Sequence, residues 1–177
     1  MNIVAIDPAI AAPGFAWLWT DPDDSRDVEL REFGTFETTA KAPEGERLLA
    51  IRRWFEVFLE VRQPGVVVME RPAFHGQLAN NSLPLGMACG VIKVVCAAAG
   101  VPVLDYAPNT IKKAVTGDGR AKKAMVRKAI KERFGGTLKG RDDGFDAIAT
   151  GLTHIKQLAD AEQEGRDNAR RLRTEES

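Results

Sequence analysis

The sequence predicts an α/β fold in which helices flank a mixed five-stranded sheet. Apolar runs at residues 3–6 and 66–69 each end on an acid that a proline soon follows, which is typical of strands buried on both faces. Residues 14–36 hold two more β-rich runs separated by a turn-forming cluster, which indicates an antiparallel meander. Segments with helical spacing then alternate with strands, which indicates parallel pairing through right-handed crossovers.

The bounds of the elements follow from local patterns. Strands are predicted at 2–7, 14–19, 28–36, 66–70 and 101–106, and helices at 43–62, 83–99, 108–115, 121–134 and 142–163. Pro64 and Gly65 end the first helix, and Gly100 caps the second. Beyond residue 163 the chain is highly charged and almost free of apolar residues. We therefore predict one folded domain over residues 1–163 and a charged, disordered tail over residues 164–177.

Composition excludes several classes of protein. The 177 residues suit one domain, and an apolar fraction of 44% suits a hydrophobic core. No apolar run reaches the roughly 18 residues of a membrane span, and the first residues lack the pattern of a signal peptide. Cys89 and Cys96 lie seven residues apart in a predicted helix and are expected to be buried thiols. We expect a cytoplasmic protein with no membrane partner and no organic cofactor.

The charges are unevenly distributed although the formal net charge is zero. Residues 1–70 contain 13 acidic and 7 basic residues, whereas residues 109–141 contain 11 Lys or Arg against only Asp118 and Glu132. A concentrated basic segment attracts a phosphate backbone. Basic helices are also often merely solvated, but the near absence of acidic partners in this segment favours DNA contact.

Acidic residues from three parts of the chain are predicted to meet at one end of the sheet. Asp7 and Glu70 close neighbouring strands, and the carboxyl ends of parallel strands lie at one edge where ligands bind. Asp143 and Asp146 are three residues apart and share one face of the last helix. Acids at a helix start also serve as caps, and Asp142 is the better candidate for that role.

Four carboxylates in one pocket repel one another, and divalent cations relieve this repulsion. Oxygen-only donor sets favour Mg²⁺ or Mn²⁺. Two such ions about 4 Å apart can activate a water and stabilise the leaving oxygen of a phosphodiester. The four acids together therefore favour metal-assisted phosphodiester hydrolysis with two ions in each active site.

Several short motifs follow one another along residues 1–156. They are Ile6-Asp7-Pro8 with Gly14, Met69-Glu70-Arg71, Ala107-Pro108, Ile111-Lys112-Lys113, the run from Thr116 to Lys123, and Asp143-Gly144-Phe145-Asp146-Ala147 with Thr153-His154. This ordered set resembles the RuvC-type Holliday junction resolvases of the RNase H-like superfamily. The resemblance implies an RNase H-like fold and a metal-dependent homodimer that nicks a four-way DNA junction symmetrically. It assigns the metal-ligand and catalytic roles to Asp7, Glu70, Asp143 and Asp146.

The same resemblance places Lys112 and Lys123 at the scissile phosphate, and Lys123 is counted with the catalytic residues. Further DNA contacts are expected from other basic residues of this segment, namely Lys113, Arg120, Lys122 and Arg127. Phe74 either stacks on an unpaired base at the junction or packs back onto the core. His154 is expected to be a packed, hydrogen-bonded helix residue.

The resulting prediction is an endodeoxyribonuclease that resolves four-way junctions by paired nicks. One alternative is a nuclease that also cuts flaps and forks, and another is a catalytically silent junction-binding module. A third is that the acids are only caps and strand-end accidents. For the helix at 83–99, the face that carries Gly86 and Gly90 belongs either to the core or to a dimer contact.

Overall fold

The computed structural model describes residues 1–21, 24, 27–72 and 82–175 of the 177-residue chain. In chain order its elements are β1 (Asn2–Asp7), β2 (Gly14–Thr20), β3 (Val28–Thr35), α1 (Glu44–Arg62), β4 (Val66–Glu70), α2 (Ser82–Ala98), β5 (Val103–Tyr106), α3 (Pro108–Thr116), α4 (Lys123–Arg133) and α5 (Asp142–Glu175). Within these ranges, no helix combines the length and the apolar character that crossing a membrane requires.

The five strands form one mixed sheet in the order β3-β2-β1-β4-β5. The pairs β1–β2 and β2–β3 are antiparallel, whereas β1–β4 and β4–β5 are parallel. The predicted meander and the predicted parallel crossovers are therefore confirmed. Strand β1 lies at the centre of the sheet, and burial on both of its faces explains why its apolar residues run consecutively.

Side chains of the central strands alternate between two hydrophobic cores. Ala5 packs in the core formed with α3, α4 and α5, whereas Ile6 packs in the core formed with α1 and α2. In β4, Val68 belongs to the same core as Ala5. Because strand side chains alternate with a period of two, Asp7 and Glu70 both point to the face that α5 covers.

Helix α5 is longer than the sequence predicts. We expected it to end near residue 163 with a disordered tail, but the helix continues to Glu175. Its outer part consists largely of charged and polar helix formers and includes side-chain pairs four residues apart, Lys156–Asp160 at 2.7 Å and Gln163–Asp167 at 3.0 Å. The division into a nuclease domain at 1–163 and a separate tail remains a prediction.

Helix α2 buries one face and exposes the other. Cys89 and Cys96 are free thiols on the buried face, as predicted, and burial raises the pKa of Cys96 to about 12. Among the described residues, a Cβ atom built at Gly86 or Gly90 would meet nothing within 4 Å. The face that carries these two glycines therefore does not pack on the described core, and a dimer contact through it stays a prediction.

Candidate active site

Two carboxylates meet at the carboxyl edge of the parallel strands. Asp7 is the last residue of β1 and Glu70 is the last residue of β4. In the parallel ladder, Ile6 pairs with Met69, so the two acids that follow are neighbours on the α5 face. Both residues are half-buried at the point where the two strands end.

The first turns of α5 bring a second pair of carboxylates to this edge. Phe145 is buried and packs edge-on against Phe33 of β3, with ring centroids 5.5 Å apart. This contact seats the start of the helix on the sheet. Asp143 and Asp146 flank Phe145 and are both only half-buried. The predicted meeting of strand-end acids with helix acids therefore has a structural basis.

One cavity of about 230 Å³ collects most of the predicted site. Its charged lining consists of Asp7, Glu70, Lys112, Lys123 and Asp146, and Pro108, Ile111 and Val126 form the apolar part of the wall. Asp143 is not among the lining residues, although it lies near enough to influence the ionisation of Asp7. The site thus combines residues from two strands and three helices.

Lys123 at the start of α4 already neutralises part of this cluster. Its Nζ atom donates a hydrogen bond to Oδ2 of Asp146 at 2.7 Å, while the lysine side chain remains 72% exposed. That hydrogen bond is the main reason why the pKa of Lys123 is raised. The ammonium group is therefore held at the cluster by one carboxylate and is otherwise accessible from solvent.

The carboxylates remain electrostatically strained despite this lysine. Burial, followed by the charges of Glu70, Asp146 and Asp143, raises the pKa of Asp7 from 3.8 to about 8, and Lys123 opposes the shift. Burial and then the charge of Asp146 raise the pKa of Glu70 as well. Negative charge in this pocket is therefore costly unless another cation enters.

The donor chemistry fits a hard divalent cation, although the side chains do not yet converge on one point. Across the described ranges, no three His, Cys, Asp or Glu residues form a group that could hold a metal ion. The hydrogen bond from Lys123 engages one oxygen of Asp146, which is one of the predicted ligands. Carboxylate oxygens without a thiolate or an imidazole are the donors that Mg²⁺ and Mn²⁺ prefer. Metal binding by these four acids stays a prediction.

The other predicted DNA-binding residues lie outside the cavity. Lys113 on α3 and Arg120 and Lys122 in the loop before α4 are all exposed. The loop itself is well supported, since the backbone N–H of Arg120 donates to Oδ1 of Asp118 at 2.8 Å. Phe74 falls outside the described residues.

Arg127 has a different environment from the one expected of a DNA contact. Its guanidinium donates to Oδ1 of Asp142 at 2.6 Å and to the carbonyl of Gly140 at 3.2 Å, and it lies 4.5 Å from the ring centroid of Phe145. Asp142, the predicted cap, is the first residue of α5 and is the acidic partner in this ion pair. Arg127 therefore fastens α4 to the start of α5.

Sequence reasoning missed Tyr106 as the partner of His154. The Tyr106 hydroxyl and Nδ1 of His154 are 2.7 Å apart, and both residues are buried. This contact confirms His154 as a packed, hydrogen-bonded residue, and burial lowers its pKa. Because buried Tyr and His side chains need polar partners, their positions in apolar segments were the available signal.

Comparison with known proteins agrees with the fold and with the motifs. The family model described as "Crossover junction endodeoxyribonuclease RuvC" matches residues 3–154. A relative of that name from Gloeobacter violaceus is 32% identical over 154 residues, which cover 86% of this chain and 87% of the relative.

Two solved structures are also similar to this chain. The Thermus thermophilus RuvC structure aligns with a TM-score of 0.80 and 27% identity. The alignment covers 91% of this chain and 97% of the T. thermophilus chain. T. thermophilus RuvC in complex with Holliday junction substrate aligns with a TM-score of 0.76 and 25% identity. This alignment covers 88% of this chain and 94% of the chain in the complex. These matches confirm the predicted RNase H-like fold, and the chain belongs to the RuvC family of crossover junction endodeoxyribonucleases.

Proposed function

We propose that this protein resolves four-way (Holliday) DNA junctions by hydrolysing phosphodiester bonds with the help of divalent cations. The observation that carries the proposal is the meeting of Asp7, Glu70 and Asp146 with Lys112 and Lys123 around one cavity. A nuclease needs grouped carboxylates beside positive charge that can receive a phosphate. A solved structure holds T. thermophilus RuvC in complex with Holliday junction substrate, which supports branched DNA as the substrate class.

The cation ligands in this proposal are Asp7, Glu70, Asp143 and Asp146. When bound, two Mg²⁺ or Mn²⁺ ions would supply Lewis acidity to the scissile phosphate and neutralise the carboxylates. The raised pKa values of Asp7 and Glu70 support this assignment, because a cation that replaces their protons offsets both the cost of burying the charge and the repulsion from neighbouring acids that cause the shift. Both acids would then be held as carboxylates at neutral pH.

The two cavity lysines are assigned to the phosphate. Lys112 is half-buried near Glu70, and Lys123 reaches the cavity from the start of α4. Lysine is suited to this role because its ammonium is a compact charge on a flexible stem. Cation binding at Asp146 would release Lys123 from its ion pair and leave it to hold a non-bridging phosphate oxygen. One residue would thus neutralise the empty cluster and then position the DNA.

Exposed basic residues extend the proposed DNA surface beyond the cavity. Lys113, Arg120 and Lys122 lie on α3 and on the loop before α4, within the segment that has few acids. Such residues contact the backbone without reading base sequence, and they make binding sensitive to salt. They are therefore assigned to affinity and orientation of the DNA arms.

The proposal includes a homodimer through the exposed face of α2. On this helix, Leu83 is 68% exposed and Val94 is 65% exposed, and no side chain of the described chain fills the space beside Gly86 and Gly90. A helix face of this kind suits a second copy related by twofold symmetry. Two active sites related in this way could nick symmetric strands of one junction.

Sedimentation tests this part of the proposal. The wild-type protein should sediment as a dimer at micromolar concentration, and Val94→Asp should shift it toward a monomer because a charge would enter the apolar interface. Val57→Asp is a matched control, since Val57 is 59% exposed on α1. A monomeric wild-type protein, both free and on DNA, would rule out paired nicking by a dimer.

The activity is tested on three labelled substrates, a four-way junction, a fork and a linear duplex. Each is incubated with Mg²⁺, with Mn²⁺ and with EDTA. We expect paired, symmetry-related nicks in the junction that require metal, and we expect Asp146→Asn to abolish cleavage while junction binding persists. Equal cutting of fork and junction would instead favour a broader branched-DNA nuclease. Tight junction binding without cutting under any metal would favour the silent binding module.

A further inference from the structure

Gly14 lies at the junction between the two pairs of carboxylates. It is the first residue of β2, it is buried, and it pairs directly with Asp7 in the β1–β2 ladder. On its α5 side it faces the backbone of Asp143. The residue thus lies between the end of β1 and the first turn of α5, although it has no side chain of its own.

The space beside Gly14 is too small for any side chain. A Cβ atom at this position would lie 2.0 Å from the carbonyl oxygen of Asp143, 2.4 Å from its carbonyl carbon and 3.0 Å from the backbone nitrogen of Gly144. All three are backbone atoms, so no rotamer change can relieve the clash. Gly14 does not have a positive φ, so its role is to leave room and not to allow an unusual backbone conformation.

We infer that Gly14 is a positioning residue that sets the distance between the strand-end acids and the acids of α5. This inference rests on the function proposed above. Cβ atoms very rarely come within 3.0 Å of such neighbours, so a Cβ at Gly14 requires the start of β2 and the first turn of α5 to separate by roughly 1 Å, a displacement large enough to lower catalysis by about 100-fold.

The rest of α5 is held in place, so the displacement falls on the end that carries the acids. Ile148 and Leu152 are buried in the core against the sheet, and Gly151 packs closely against Leu18 and Ala5. The start of the helix would therefore lift while its middle stays seated. Asp143, and with it Asp146, would move away from Asp7, and the proposed cation ligands would be spread apart.

Gly14→Ala tests this inference, with Gly34→Ala as the matched control. Gly34 lies on the neighbouring strand β3, and a Cβ there would meet only the Phe15 ring, at 3.2 Å. The first readout is the Mn²⁺ midpoint, the concentration that half-saturates the folded protein, which is obtained by fitting the rise of the melting temperature with Mn²⁺ because a bound cation stabilises the folded state. The others are cleavage of a four-way junction and binding of that junction in EDTA.

For Gly14→Ala, we expect the Mn²⁺ midpoint to rise at least tenfold and cleavage to fall about 100-fold. Junction binding in EDTA should stay within about twofold of wild type, since most of the proposed DNA-binding residues lie on α3 and on the loop before α4, not on α5. Gly34→Ala should match wild type in the Mn²⁺ midpoint and in cleavage. A residue with a purely structural role would lower the melting temperature in EDTA and leave the Mn²⁺ midpoint unchanged.

If folded Gly14→Ala has the same Mn²⁺ midpoint as the wild-type protein, the inference is overturned. This holds even if the wild-type protein cuts junctions as proposed. If Gly14→Ala does not fold, Gly144→Ala replaces it, because a Cβ there would lie 3.2 Å from the carbonyl oxygen of Gly34 and from the Phe33 ring. This smaller displacement should raise the midpoint a few-fold, and an unchanged midpoint would overturn the inference. A wild-type protein that neither responds to metal nor cuts DNA would overturn the proposed function as well.

Discussion

Replacing Asp7 with asparagine removes one ionisable carboxyl group from the cluster while it keeps the shape of the side chain. Burial and three neighbouring acids raise the pKa of Asp7 from 3.8 to about 8 in the absence of a cation. Between these two values, the unfolded chain has lost the Asp7 proton while the folded protein still holds it. The free energy of unfolding of the wild-type protein must therefore fall as pH rises through this window.

Asparagine has no such proton, so Asp7→Asn should be spared this loss. From pH 5 to pH 8, a fully retained proton would change the free energy of unfolding by about 4 kcal/mol, at 1.36 kcal/mol for each pH unit. Solvent screening offsets part of this change, so we expect the wild-type protein to lose on the order of 2 to 3 kcal/mol more than Asp7→Asn. The variant should also be inactive in cleavage.

Urea unfolding at pH 5 and at pH 8 in EDTA measures this difference. Asp160→Asn serves as the control, because Asp160 is an exposed acid on α5 that pairs with Lys156 outside the site. Addition of Mg²⁺ at pH 8 should stabilise the wild-type protein more than Asp7→Asn, since the ion takes the place of the proton. The same pH dependence in wild type and Asp7→Asn would refute the argument that repulsion at Asp7 is relieved by protonation.

Two further substitutions distinguish a residue of the proposed active site from a residue that is expected to stabilise the fold. Lys123→Ala removes the ion pair to Asp146 and a proposed phosphate contact, so cleavage should fall about 100-fold and the salt dependence of junction binding should weaken; a salt dependence equal to that of wild type would place Lys123 off the DNA. Tyr106→Phe removes the buried hydrogen bond to His154 and should cost about 1 to 2 kcal/mol in urea unfolding while cleavage persists. If Tyr106→Phe keeps the wild-type stability but loses cleavage, the Tyr106–His154 pair has a role in the active site.

Much of the fold could be predicted because the central strands have a clear sequence pattern of consecutive apolar residues. The apolar runs that end at Asp7 and Glu70 can be buried only on both faces of a sheet, and the helix patterns between strands then require parallel crossovers. Each strand ends on its acid, so the shared location of Asp7 and Glu70 followed from topology alone. The bounds of most helices and strands agree with the prediction to within two residues.

The remaining features depend on contacts between segments that are distant in sequence. Nothing local to Gly14 indicates that the carbonyl of Asp143 will lie against it, and nothing local to Arg127 indicates its ion pair with Asp142. The length of α5 was underestimated because a charged segment without an apolar face was assigned to disorder. In the structure, pairs such as Lys156–Asp160 accompany a continuous helix through this segment.

The docking of α5 beside β1 has a consequence for the order of events during synthesis. Asp7 and Glu70 are translated first, whereas Asp143 and Asp146 emerge only after the whole sheet and four helices have been translated. A nascent chain that has not yet released α5 would bear Asp7, Glu70 and the surface of the sheet on which α5 packs, but not Asp143 and Asp146. Such a chain could touch DNA through its basic segment but could not cut it. Nuclease activity would therefore arise only from molecules in which α5 has already docked beside β1.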